Sequence, residues 1–137
     1  MSARLVLDPV ETGTKFRATL DGTAELTLDD VKGGPDPNPV QILLAALGAC
    51  TGMDVISILR KKRQVVLGYE IEVDGERRAE YPRVFTKIVV VHRLRGHDLD
   101  RRAIADAIRV SETKYCTVHG MLGAVAEITS RIEIVPA

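Results

Sequence analysis

Two thiols carry the most specific chemistry in this 137-residue chain: Cys50, which ends the apolar run Ile42–Cys50, and Cys116, in the segment Lys114-Tyr115-Cys116-Thr117-Val118-His119. A thiolate that attacks the O–O bond of a peroxide becomes a sulfenic acid. A second thiol condenses with it to a disulfide, which an external reductant later clears. The two cysteines lie 66 positions apart, so only the fold can bring them together. Taken alone, Cys50 reads as a small buried hydrophobe, because free cysteine is among the most buried residue types. Cys116 shifts the balance, since it falls at a junction between two helical segments, where a thiol has room to move.

An attacking thiol needs a lowered pKa, and a neighbouring guanidinium supplies it. Arg4, Arg17, Arg60, Arg83 and Arg93 are the candidates, and spacing does not rank them. His119, three residues after Cys116, raises the alternatives of a Cys–His dyad or a metal ligand pair. A zinc site needs two further ligands at recognisable spacing, and His92 and His97 sit in a strand-and-loop context with no third cysteine. A hydrolase built on Cys50 lacks a histidine nearby and a glycine motif for an oxyanion hole. The basic run Arg60-Lys61-Lys62-Arg63 has no interleaved aromatics and reads as a solvated helix end rather than a nucleic-acid patch.

The elements that must position these residues are legible from periodicity. Residues 4–29 alternate apolar and polar in short strands, with Asp21-Gly22 as a hairpin turn. Two glycines and two prolines in Gly33–Pro37 break the chain before a long helix from about Asn38 to Lys62. Asn38 serves as its N-cap, Pro39 as its first residue and Gln41 as the partner in a capping box. Cys50 falls about three turns in, with Ala46, Leu47, Met53 and Asp54 sharing its face. The front half is expected to be buried and the charged tail wet. Strands follow at Gly68–Glu80 and Val84–Arg95. Asp98 then caps an amphipathic helix whose apolar face runs through Leu99, Ile104, Ala107 and Ile108 to Tyr115. A turn at Cys116–Thr117, a short helical segment and a strand at Val125–Val135 complete an α+β pattern in a single domain, with a sheet packed on a long central helix.

Lys plus Arg and Asp plus Glu number 19 each, so no global field attracts nucleic acid or an anionic membrane surface. No leader-like segment opens the chain, and no stretch is expected to reach the roughly 20 apolar residues that span a bilayer. A cytoplasmic location is expected, where two cysteines serve transient chemistry better than structural stapling.

Four stretches, in order, resemble the OsmC/Ohr family. They are Asn38–Cys50, similar to the family's Asn/Ser-Pro helix opening with its reactive cysteine; Tyr81–Ile88, similar to its entry into a central strand; Gly96–Asp100; and Lys114–Val118 around the second cysteine. The resemblance implies an OsmC-like fold with antiparallel sheets around a long central helix, built as an intertwined homodimer with active sites at the subunit interface. It further implies reduction of organic hydroperoxides, with hydrogen peroxide as a further candidate substrate and a lipoyl group or small dithiol as reductant. Neither a cofactor nor a metal is implied.

Family members place a glutamate directly after the Asn-Pro pair, where it orients the activating arginine. This chain has Val40 there. Gln41 is the adjacent polar residue, and as a neutral group it holds a guanidinium less strongly than a carboxylate does. Arg17, on an early strand, matches the family's arginine. The expected site is therefore Cys50 and Cys116 with Arg17 and Gln41. The missing acid leaves a second reading open: a non-enzymatic thiol-redox sensor or small-ligand-binding dimer on the same fold.

Overall fold

The computed structural model describes residues 1–137. They fall into two compact units, Met1–Leu43 and Leu44–Ala137.

In the first unit, β1 (Ala3–Leu7), β2 (Phe16–Leu20) and β3 (Ala24–Leu28) form an antiparallel sheet. Cross-strand partners share a face, and the register aligns Leu5 with Ala18 and Ala18 with Leu26. One face is therefore wholly apolar, from Ala3 to Leu28. Arg17 lies on the other, opposite Val6 and Thr27. Asp21 and Gly22 both adopt left-handed backbone at the hairpin turn. Ala18 is this unit's one fully buried hydrophobic residue.

Helix α1 spans Pro39–Lys61, and the division between the units falls within it, after Leu43. Its start is a reciprocal capping box: Gln41 N–H donates to Asn38 Oδ1 at 2.8 Å, and Asn38 N–H donates to Gln41 Oε1 at 2.9 Å. Such a cap contributes about 1 kcal/mol.

In the second unit, β4 (Val65–Arg77), β5 (Phe85–His97) and β6 (Glu127–Pro136) make a three-stranded sheet in that order. Strands β4 and β5 are antiparallel, but β6 runs parallel to β5, which corrects the expectation of purely antiparallel sheets. The cause is the connection: α2 (Arg101–Val110), a π-helical turn (Ser111–Tyr115) and α3 (Thr117–Leu122) make the long crossover that a parallel pair requires. By register, Tyr69, Ile71 and Val73 share a face with Val90, His92 and Leu94 and with Ser130, Ile132 and Ile134. Helix α1 packs on this face. Gly48 and Gly52 allow the approach, since a Cβ at Gly52 would stand 2.6 Å from Ile71 Cδ1. Val55 and Leu59 of α1 meet Leu94, Ile104, Ala107 and Ile108 in the core. Each of the Val, Leu and Ile side chains contributes roughly 1.5–3 kcal/mol by leaving water.

Three local expectations change. The cap of α2 is Asp100, which accepts from Arg102 N–H, because Asp98 takes a left-handed conformation that ends β5. Tyr115 is exposed, since the chain leaves the α-helical path at Ser111 and carries it off the apolar face. Within Ile42–Cys50, Leu47 and Gly48 alone are fully buried, whereas Leu43, Ala45 and Ala49 are exposed. The sheet covers only one side of an apolar helix.

Helix α1 also corrects the statement that no stretch is long and apolar enough to span a bilayer. At 23 residues, with a mean hydropathy of 2.0 over its best 18-residue window, it is, by length and composition. A core helix has the same composition, and Leu47, Val55 and Leu59 are fully buried in the protein.

Candidate functional site

The second unit brings the two cysteines together. Cys50 is half-buried on α1, and Cys116 is buried where the π-helical turn meets α3. Neither is in a disulfide, and the Cys50 thiol is near enough to Cys116 to raise its pKa. Cys116 caps α3, its Sγ accepting from His119 N–H at 3.3 Å, and it shares a hydrogen bond with Thr51 Oγ1 at 3.5 Å. Burial pushes the Cys116 thiol up from its ordinary value. The Thr51 hydroxyl opposes the rise, the neighbouring Cys50 thiol adds to it, and the His119 N–H opposes it. Cys116 therefore stays protonated at neutral pH, a poor first attacker held beside a more accessible thiol.

Around this pair lies a set of polar contacts between α1, the π-helical turn and β6. Ser111 Oγ donates to Asp54 Oδ2 at 2.8 Å, and Ser130 Oγ donates to Glu112 Oε1 at 2.8 Å. Glu112 Oε2 stands 3.3 Å from His119 Nε2, close enough for an ion pair but without hydrogen-bond alignment. His119 thus faces a carboxylate, and its link to Cys116 is through the main chain. No group of three His, Cys, Asp or Glu side chains is arranged to hold a metal ion.

The other two expected site residues lie in the first unit. Arg17 pairs with Asp8 at 2.9 Å, and both side chains are more than half exposed. Gln41 uses its carbonyl oxygen in the helix cap. Arg93 is committed elsewhere: it binds Glu72 and Glu133 at 2.7 Å each on the sheet face turned away from α1.

The sequence reading missed Thr51, Ser111 and Glu112 as neighbours of the thiols. Asp54 was visible as a residue sharing the Cys50 face. Ser111 and Glu112 were not, because a π-helical turn has no periodicity that announces it. A groove of about 530 Å³ lined by Ala45, Ala49, Met53, Tyr69 and Ile71 among others includes neither cysteine.

Comparisons with known proteins bear on the family and the fold. The family model for OsmC-like protein matches residues 32–131. Protein YhfA of Escherichia coli K12 is 40% identical over 113 residues, covering 82% of this chain and 84% of its own. A hypothetical protein from Aquifex aeolicus VF5 superposes with a TM-score of 0.87 at 27% identity, over 99% of this chain and 96% of that one. The organic hydroperoxide resistance protein OhrB of Bacillus subtilis shares the fold, with a TM-score of 0.65 at 18% identity over 97% and 98% of the two chains.

Proposed function

Because the chain belongs to the OsmC-like family, we propose that it is a thiol-dependent peroxidase for organic hydroperoxides, with Cys50 as the attacking and Cys116 as the resolving thiol. The observation that carries this reading is that two free thiols from positions 66 apart are neighbours in the fold, one half-buried and one buried. The Cys50 thiolate attacks the O–O bond, giving Cys50 sulfenic acid and, after protonation, an alcohol. The Cys116 thiol then displaces the sulfenic oxygen as water and forms the disulfide. A dithiol, of lipoyl or small-molecule type, reduces that disulfide and is itself oxidised. The resistance protein OhrB supports the substrate class by its name and fold.

Arg17 is the guanidinium this reading assigns to the thiolate. Its bond to Asp8 is exposed and worth only about 0–1 kcal/mol, so it does not hold the arginine against a better partner. Gln41 Oε1 accepts from Asn38 N–H in the helix cap and in this reading uses its second lone pair for the guanidinium. A second copy of the chain completes the assembly in this reading, covering the apolar face of β1–β3 and the exposed Ala45, Ala49 and Met53 of α1. The sensor reading rests on Val40, whose side chain cannot orient an arginine. A sensor oxidises once; a peroxidase turns over.

Steady-state consumption of cumene hydroperoxide with dihydrolipoamide separates them. Cys50→Ser should lose turnover entirely, at least about 100-fold. Cys116→Ser should react once and then over-oxidise at Cys50. Full turnover by Cys50→Ser would remove the assignment, and a wild-type chain that stops after one equivalent is a sensor.

A further inference from the structure

Two hydrogen bonds join α1 to the two ends of the π-helical turn. Asp54 accepts from Ser111 at its start, and Thr51 shares a bond with Cys116 just past its end. Thr51 and Asp54 are three residues apart on α1 and so lie on one face. In an α-helix, Ser111 and Cys116 would sit about 140° apart around the axis. Here Cys116 N–H donates to Ser111 O at 2.8 Å, the i→i+5 bond of a π-turn, and this brings both residues round to the same side. Ser111 is fully buried and Thr51 and Cys116 nearly so, which leaves these bonds little competition from water. From the β6 side, Ser130 holds Glu112, the second residue of the turn.

We propose that Asp54 and Ser111 are positioning residues for the resolving thiol: their bond fixes the π-turn in the register that sets Cys116 against Cys50. This role rests on the two-thiol reading and deepens it by assigning residues to its second step. In that step Cys116–SH attacks the sulfur of Cys50–SOH, the S–S bond forms, the S–O bond breaks, and the hydroxyl leaves with the thiol proton as water. The step has no external redox partner, so its rate depends on how the two sulfurs are aligned. Asp54 and Ser111 act on this step through the turn that carries Cys116.

The experiment follows full-length reduced protein after one equivalent of cumene hydroperoxide, with dimedone trapping of Cys50 sulfenic acid to time the first step and non-reducing mass spectrometry to time the disulfide. Ser111→Ala and Asp54→Leu should slow disulfide formation about tenfold relative to Cys50 oxidation, because misalignment of reacting atoms costs rate steeply. More Cys50 sulfinic acid should accumulate as a result. Asp54→Asn, which keeps an acceptor for Ser111 in the same shape, should resolve within about twofold of wild type. Ile104→Val, a core change away from the turn, should leave the ratio of the two steps unmoved. If Ser111→Ala does not fold, the contrast between Asp54→Asn and Asp54→Leu decides. Wild-type ratios in Ser111→Ala and Asp54→Leu, or equal slowing in Ile104→Val, would overturn the role. A wild-type chain that forms no disulfide removes the peroxidase reading and this role with it, an outcome distinct from normal resolution in the variants.

Discussion

A neutral imidazole sealed inside the sheet ties the stability of this protein to acid. His92 is fully buried on β5, bonded through Nδ1 to the Tyr69 hydroxyl at 2.6 Å, with Nε2 unpartnered. Burial lowers its pKa from 6.5 to about 4 and raises that of Tyr69. Between those two values the unfolded chain binds a proton that the folded chain refuses. Stability is therefore complete above about pH 6.5 and falls as pH drops toward about 4, by an amount on the order of 3 kcal/mol. Urea unfolding across that window should show this loss in wild type and much less of it in the Tyr69→Phe/His92→Leu double variant. An unchanged acid slope would mean that His92 is not the group responsible. The thiols follow the same logic of environment: burial keeps Cys116 protonated, while Cys50 is left the more accessible of the two.

The elements differ in how far their residues announced them. Asn38, Pro39 and Gln41 gave the start of α1 to within a residue, because a capping box is a local arrangement of side chains on their own backbone. The apolar alternation through Leu5, Ala18 and Leu26 likewise fixed which face of β1–β3 is apolar. The direction of β6 was not legible, since parallel and antiparallel strands of the same composition differ only in where the connection returns the chain. Asp98 looked like a cap and is a left-handed turn residue, with Asp100 two positions on taking the cap. The π-helical turn was invisible for a related reason: its register is set by Asp54 and Ser130, both distant in sequence. The candidate site divides along the same line. Cys50 and Cys116 were legible from type and motif, whereas Thr51, Ser111 and Glu112 owe their place to tertiary contact.

At the scale of the molecule, the proposed second copy has exposed apolar groups to cover. Phe16 and Leu20 on the apolar face of β1–β3 and Met53 on α1 are exposed, the kind of side chain a partner would cover. Light scattering at micromolar concentration should give the mass of a dimer, twice 15.0 kDa; a monomer would remove the shared-interface part of the proposal and leave the thiol pair standing. The central claim is the pair itself. Its most direct test is intact-protein mass spectrometry of the fully reduced chain after one equivalent of cumene hydroperoxide. The account predicts a rapid loss of two hydrogens, mapped by peptide digestion to a Cys50–Cys116 link, and faster than with hydrogen peroxide. An unchanged mass, or slow oxidation indifferent to the peroxide used, would contradict it.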